Sequence, residues 1–150
     1  MAGIYGAAGS FNVGNACALV IQHPLAPGGE LRIPNVTGFK CSQETTQLNS
    51  VRLDGVNLSA KLPKGWRGTF MADRADARVD DLFVLIEALW YTQATMQQAT
   101  VFQYVNELNN SVSTYQFVSC SLSFQDAGEW KGDAVVKQTI EFEAFRRLKV

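Results

Sequence analysis

The stretch KQTIEFEAFRR, Lys137 to Arg147, alternates strictly between apolar and polar positions. Ile140, Phe142 and Ala144 share one side, while Lys137, Thr139, Glu141 and Glu143 share the other. A two-residue period is that of a half-buried strand, so the first set belongs in a core. The same period recurs in SVSTYQFVSCSLSFQ, where Val118, Cys120, Leu122 and Phe124 oppose Ser119, Ser121 and Ser123. Upstream, ATVFQYVNEL reads as a strand, and the Asn109-Asn110 pair, tolerant of positive φ, joins the two as a hairpin. In DARVDDLFVLIEALWYTQ the period lengthens. Val79, Leu82, Phe83, Ile86, Leu89 and Trp90 follow the spacing of an amphipathic helix over about residues 77–92. Asp76 is its expected N-cap, and Asp80 and Asp81 fall in the first turn, where carboxylates favour the helix dipole.

All four prolines precede residue 64, so turns punctuate the first part of the chain and the rest can hold long elements. Residues 1–12 are rich in Gly and Ala and read as an adaptable N-terminal arm. ACALVI predicts a strand, HPLAPGGE a loop, and Val36 to Glu44 a second strand. Further strands are predicted in VNLSAKL and GWRGTFMADR. The sum is a mainly β chain: an antiparallel sandwich or barrel of six or seven strands with one flanking helix, in a single domain.

Several strands are apolar on both sides. Phe102 and Tyr104 oppose Val101 and Val105; Tyr115 and Phe117 oppose Val118 and Cys120; Phe145 interrupts the charged side of the last strand. Such strands need cover on both faces, and one helix is too little material to supply it. Long Pro-free strands also present edges that invite pairing. Both features point to self-association, with Tyr115, Phe117, Phe145 and Arg146 as candidate inter-subunit residues.

Chemistry is sparse. The formal net charge is −1 and the 13 cations are scattered, which disfavours a nucleic-acid-binding protein. The single histidine, His23, lies in a loop without a nucleophile motif around it. Cys17, Cys41 and Cys120 are far apart and read as small apolar residues of a reducing compartment. No phosphate-binding loop or metal-ligand spacing occurs. Glu141 and Glu143, side by side on one strand face and about 7 Å apart, lack the cleft that an acid pair needs for glycosidic chemistry. The expectation is no enzyme, no cofactor and no metal. The N-terminal stretch has no basic segment, and its apolar run is six residues, so neither a signal peptide nor a membrane span is expected.

The run LPKGWRGTFMADRADARVDDLFVLIEALWYTQA carries Lys64-Gly65-Trp66-Arg67-Gly68-Thr69-Phe70, then Asp73-Arg74, Asp80-Asp81, Glu87-Ala88 and Trp90-Tyr91. This order resembles the centre of tail tube proteins of tailed bacteriophages, and GEWKGDAVVKQTIEFEAFRR resembles that family's closing hairpin. The likeness covers roughly residues 50–150; Thr92-Gln93 stands where relatives commonly have Gly after the aromatics, so the helix end departs from the pattern. The resemblance implies a subunit of homohexameric rings that stack into a hollow tube of a virion tail, assembled in the host bacterial cytoplasm. A contractile tail is preferred. Phage DNA would pass through without specific binding, and sheath, baseplate and terminator proteins would be partners, with no membrane involved. Lumen candidates are Glu141, Glu143, Ser119, Ser121 and Ser123, against an ordinary solvated face. A loop over Ser42 to Ala60 would reach the adjacent ring, with Ser42, Gln43, Glu44, Gln47, Asn49, Arg52 and Asp54 as candidates. Competing readings are a tail terminator or baseplate adaptor, a type VI secretion tube protein, and, more distantly, a monomeric or dimeric ligand-binding β-sandwich.

Overall fold

The computed structural model describes residues 17–33 and 35–150; the expected arm over residues 1–12 lies outside them. The elements run β1 (Cys17–Gln22), a 3-10 turn (Pro27–Gly29), β2 (Glu30–Arg32), β3 (Val36–Val51), β4 (Asn57–Asp73), α1 (Arg78–Gln93), β5 (Ala99–Asn106), β6 (Val112–Asp126), β7 (Lys137–Ala144) and β8 (Arg146–Lys149). The described residues form eight strands where about six or seven were expected, in the mainly β, one-helix architecture predicted. VNLSAKL and GWRGTFMADR are one continuous strand, while β2 and β8, at 3 and 4 residues, are too short to display a period.

Every pairing is antiparallel, along the path β2-β1-β5-β6-β7-β4-β3, with β8 joined to β6. One strand belongs to both layers of the sandwich. The first half of β6 pairs with β5 and β8, and its second half pairs with β7. Val118 faces Arg146 and Ser121 faces Glu143, so β7 and β8 act as one strand bent opposite the bend in β6. At that bend Ser119 adopts φ +55°, a left-handed conformation unusual for a residue with a side chain. The extra residue also shifts the β5–β6 register between Ala99 and Val101.

This bend corrects one expectation. Strict alternation put Phe117 and Cys120 on opposite faces. In the structure both are fully buried, because the left-handed Ser119 between them resets the pleat. Phe117 thus leaves the set of surface aromatics. Its ring meets Phe142 edge-on at 5.2 Å, and Phe39 and Phe70 stand 6.1 and 6.3 Å from Phe142. Ile140, Phe142 and Ala144 all point into this core, as the alternation predicts. The Phe142 ring lies over Gly68 of β4, where any side chain would collide with it.

The helix begins one residue later than its cap signal implies. Asp76 Oδ1 accepts the Arg78 N–H at 3.0 Å, and Ala94, left-handed at φ +52°, closes the C-terminus by donating its N–H to the Trp90 carbonyl at 2.8 Å. Ala94 therefore does the work of the missing glycine. Val79 and Leu82 enter the core, and Phe83 stacks on Phe124 at 4.6 Å. Asp80, in the first turn, accepts from Arg74 Nε at 2.8 Å and from Gln138 Nε2 at 2.9 Å, tying the helix to the end of β4 and to β7.

Candidate assembly surfaces

The outward face of the β6-β7-β4-β3 layer gathers the predicted polar residues. Pairing aligns Ser121 with Glu143 and Arg67, and Ser123 with Glu141 and Thr69. Ser42 and Lys40 extend the same rows on β3. At the centre is a residue the sequence reading did not single out: Arg67. Its guanidinium reaches Glu143 at 2.6 Å, Glu44 at 3.2 Å and Glu141 at 3.8 Å. The hydrogen bond to Glu143, followed by the field of Glu44, raises the Arg67 pKa further. One cation against three carboxylates leaves the cluster negative, and the neighbouring hydroxyls add no charge. Arg67 could have been found by continuing the alternation of KGWRGTF, whose Trp66, Gly68 and Phe70 point inward. Ser119 is exposed but stands apart from Ser121 and Ser123, at the bend beside the 72 % exposed Phe145.

The expected loop from Ser42 to Ala60 is a β-hairpin. β3 and β4 stay paired from Val36↔Ala72 out to Val51↔Asn57, and from Thr45 to Lys64 every residue is exposed. The register shifts twice, between Val36 and Gly38 in the body and between Glu44 and Thr45 at the root of the arm, opposite Gly65. Gly65 has φ +146°, and a Cβ there would stand 2.8 Å from the Ala144 carbonyl oxygen. Glycine lets the strand skim β7 before it leaves the body as an arm. The stacking candidates thus divide. Ser42 and Glu44 belong to the acidic face and Gln43 to the root of the arm. Gln47 and Asn49 share a hydrogen bond of 3.2 Å along the arm, and Arg52 and Asp54 form an ion pair of 2.7 Å at its tip. Between these polar residues the arm exposes Leu48, Val51, Leu53, Val56, Leu58 and Leu62.

A third surface lies beside α1. The partly buried side of its apolar stripe, packed at the margin of the core, forms with the second half of β6 a groove of about 630 Å³. Phe83, Val84, Trp90, Met96, Leu122 and Phe124 line it, and Asp80 and Glu87 stand on its rim. Among the described residues this β6 segment pairs only with β7, and no other described strand covers its edge beside the groove.

Around the first half of β6, Tyr115 is half-buried beneath the Arg147 guanidinium, which sits 4.0 Å above its ring and within 5.6 Å of Trp66 and Phe117. Arg146, its neighbour, is exposed. His23 is a loop residue as read, but a buried one. Its Nδ1 accepts the Leu25 N–H at 3.1 Å, and burial lowers its pKa. Cys120 is buried and its thiol is pushed up to about 12 by loss of solvent; Cys17 and Cys41 are half-buried. Among the described residues no group of His, Cys, Asp and Glu is arranged to hold a metal ion, and no helix is long and apolar enough to cross a membrane.

No protein-family profile matches the sequence, and no curated protein sequence resembles it. Solved structures do resemble the fold. A chain of the sheath/tube terminator of an extracellular contractile injection system aligns with TM-score 0.63 at 12 % identity, covering 96 % of this chain and 99 % of that one. A chain of the sheath–tube complex of such a system aligns at 0.57 and 11 %, covering 88 % and 87 %. The SPP1 tail tube aligns at 0.55 and 15 %, covering 91 % and 77 %. These neighbours are structural tail components, with shared architecture across almost the whole length and little shared sequence. The chain has a tail-tube-like fold.

Proposed function

We propose that this chain is a structural subunit of a tail tube, forming hexameric rings that stack into the hollow conduit for DNA ejection in a tailed, contractile-type bacteriophage. The observation that carries the reading is the acidic, hydroxyl-rich outer face of the β6-β7-β4-β3 layer, flanked by edges of β3 and of the second half of β6 that no strand among the described residues pairs. Edge-to-edge pairing of neighbouring copies would close this layer into a wall with that face toward the lumen. A conduit must not hold its cargo. Carboxylates repel phosphates, whereas a basic wall would gain affinity by counterion release and arrest transit. The projecting arm supports stacking between rings. In this reading the subunit carries no catalytic role, meets sheath, baseplate and terminator proteins at the tube's outer wall and ends, and resides in the virion tail after assembly in the host cytoplasm. The whole chain acts as one domain.

The test is charge reversal. Glu141→Lys with Glu143→Lys should leave tubes visible by negative-stain microscopy while impairing DNA delivery; assembled tubes with unaltered infectivity would remove these residues from the lumen. A second reading, a tube terminator, is favoured by the match to a terminator complex at TM-score 0.63. The purified chain discriminates between them, because a tube subunit grows long stacks and a terminator halts at one ring.

A further inference from the structure

The single histidine is buried where the two layers part. β5 and β6 pair as far as Ala99↔Cys120; beyond that pair β6 crosses to β7, and residues 96–98 lead back to α1. In this fork lies a cavity of about 340 Å³, walled by Met96, Gln97 and Gln98, by Ile86 of α1, by Leu122 of β6 and by His23, which follows the end of β1. His23 is firmly held. Its backbone N–H donates to the Gly29 carbonyl at 3.1 Å, its carbonyl accepts from the Ala26 N–H at 3.0 Å, and its Nδ1 accepts from the Leu25 N–H. An accepting Nδ1 puts the proton of the neutral ring on Nε2. The residue is 2 % exposed, yet Nε2 has no hydrogen-bond partner among the described residues. Buried donors normally have one, because leaving them without an acceptor is destabilising. With Nδ1 turned to Leu25, the Gln97 carbonyl, which opposes the larger effect of burial on the ring's pKa, acts on Nε2–H. The unpartnered donor therefore faces the side of the cavity that Gln97 forms.

The walls select the chemistry of a guest. Among the described residues no Asp, Glu, Lys or Arg lines the cavity, so an ion would find no counter-charge in it. The wider groove next to it, which shares Ile86, Met96 and Leu122, carries Asp80 and Glu87 on its rim and disfavours anions further. What remains is apolar surface with a proton donor at one end, in a volume at the small end of the range for ligand pockets. We infer that the fork is a binding site for a small uncharged amphiphile with a carboxamide head: its carbonyl oxygen accepts from His23 Nε2, its N–H donates to the Gln97 carbonyl, and its aliphatic tail packs on Ile86, Met96 and Leu122. The site belongs to one subunit and is independent of rings and stacking. A neighbour paired to the β6 edge would border its Leu122 side and leave His23, Gln97 and Ile86 to the guest.

Hexanamide is the probe, added to the full chain carrying nitrogen-15 histidine. His23 is the only histidine, so one pair of imidazole nitrogen signals reports the site, in solution for free subunits and by magic-angle spinning for assembled ones. The unliganded ring should carry its proton on Nε2, and hexanamide should move the Nε2 signal saturably, with a Kd on the order of 1 mM for a ligand of so few atoms. Hexanoate should bind at least about tenfold more weakly, because its charge is desolvated without a partner. His23→Phe keeps an aromatic ring without the donor and should weaken hexanamide at least about tenfold in equilibrium dialysis. Met96→Trp, at an exposed position that leaves the core alone, should fill the cavity and abolish the Nε2 shift. An Nε2 signal indifferent to hexanamide well above that Kd would leave only water in the fork and overturn the site. Hexanoate binding as tightly as hexanamide would overturn the uncharged head, and undiminished binding to His23→Phe would overturn its anchor. Each result reads the same whether or not the chain forms rings, so failure of the site and failure of the tube reading are separate outcomes.

Discussion

Placing a methyl group at Gly68 tests the packing that holds the acidic face in position. The Cβ of Gly68→Ala would overlap the Phe142 ring. That ring has little room to turn away, because it is fully buried with Phe117 at 5.2 Å and Phe39 at 6.1 Å. Overpacking of this kind costs about 1–3 kcal/mol. For 150 residues the unfolding entropy near the transition is about 0.3 kcal/mol/K, so Tm should fall by about 3–10 °C. A second substitution isolates the cause. Phe142→Leu is destabilising by itself, since it empties part of the aromatic cluster. In that background, however, the extra methyl fills space, and Gly68→Ala should cost under about 0.5 kcal/mol, a coupling of at least about 1 kcal/mol. The assay is thermal and urea denaturation of all four proteins at one concentration, because assembly would itself raise Tm. Equal cost of Gly68→Ala in both backgrounds would show that the Phe142 contact is not what constrains position 68.

Other outcomes follow from features already described. Arg67→Glu places a fourth carboxylate among Glu44, Glu141 and Glu143; its Tm deficit should be larger at low salt than at high salt, where exposed charges are screened. His23, whose pKa burial lowers, takes up a proton more readily when unfolded, so its contribution to stability is full above about pH 6.5 and is lost as pH falls toward the folded value. Melting between pH 7 and 5 should show this decline, and His23→Gln should flatten it. Cys120, with its thiol pushed up to about 12 in a buried site, should resist iodoacetamide at pH 8 until the chain unfolds, as peptide mapping can show. Ser119→Val should cost about 1–2 kcal/mol in urea melts, because a β-branched side chain fits the left-handed region poorly, while Ser119→Gly should cost nothing.

How much of this was legible depends on where burial leaves a mark. β7 and α1 each bury one face within the chain, so their periods of two and of 3.6 named Ile140, Phe142, Val79 and Leu82 correctly. The arm hides none of its residues, so nothing forced its pattern to alternate, and its seven pairs, Thr45↔Pro63 to Val51↔Asn57, read as loop and broken strand. Ser119 defeated the pattern differently. A single left-handed residue reset the alternation, and serine, unlike glycine or asparagine, gives no warning of it. Asp76 located the start of α1 to within one residue, yet the C-terminus depended on Ala94 in a conformation that alanine seldom adopts. Of the candidate site, the carboxylates and hydroxyls were visible as rows along single strands. The outward position of Arg67 was legible in the alternation of KGWRGTF, but its meeting with Glu44 and Glu143 was not, because that depends on the registers β3–β4 and β4–β7, which no local pattern specifies.

The bent ribbon of β6 with β7 and β8 has a mechanical consequence. In many sandwiches the two layers touch through side chains alone and can slide or separate under load. Here the same two backbones pass from one layer into the other, so a push on the acidic wall travels through covalent bonds and a continuous hydrogen-bond ladder into the opposite layer. Shear between the layers would have to unzip that ladder at Ser119 rather than slip a greasy contact. In the proposed tube, such subunits would resist ovalisation, and the bore would keep its width when the outside is squeezed or pulled.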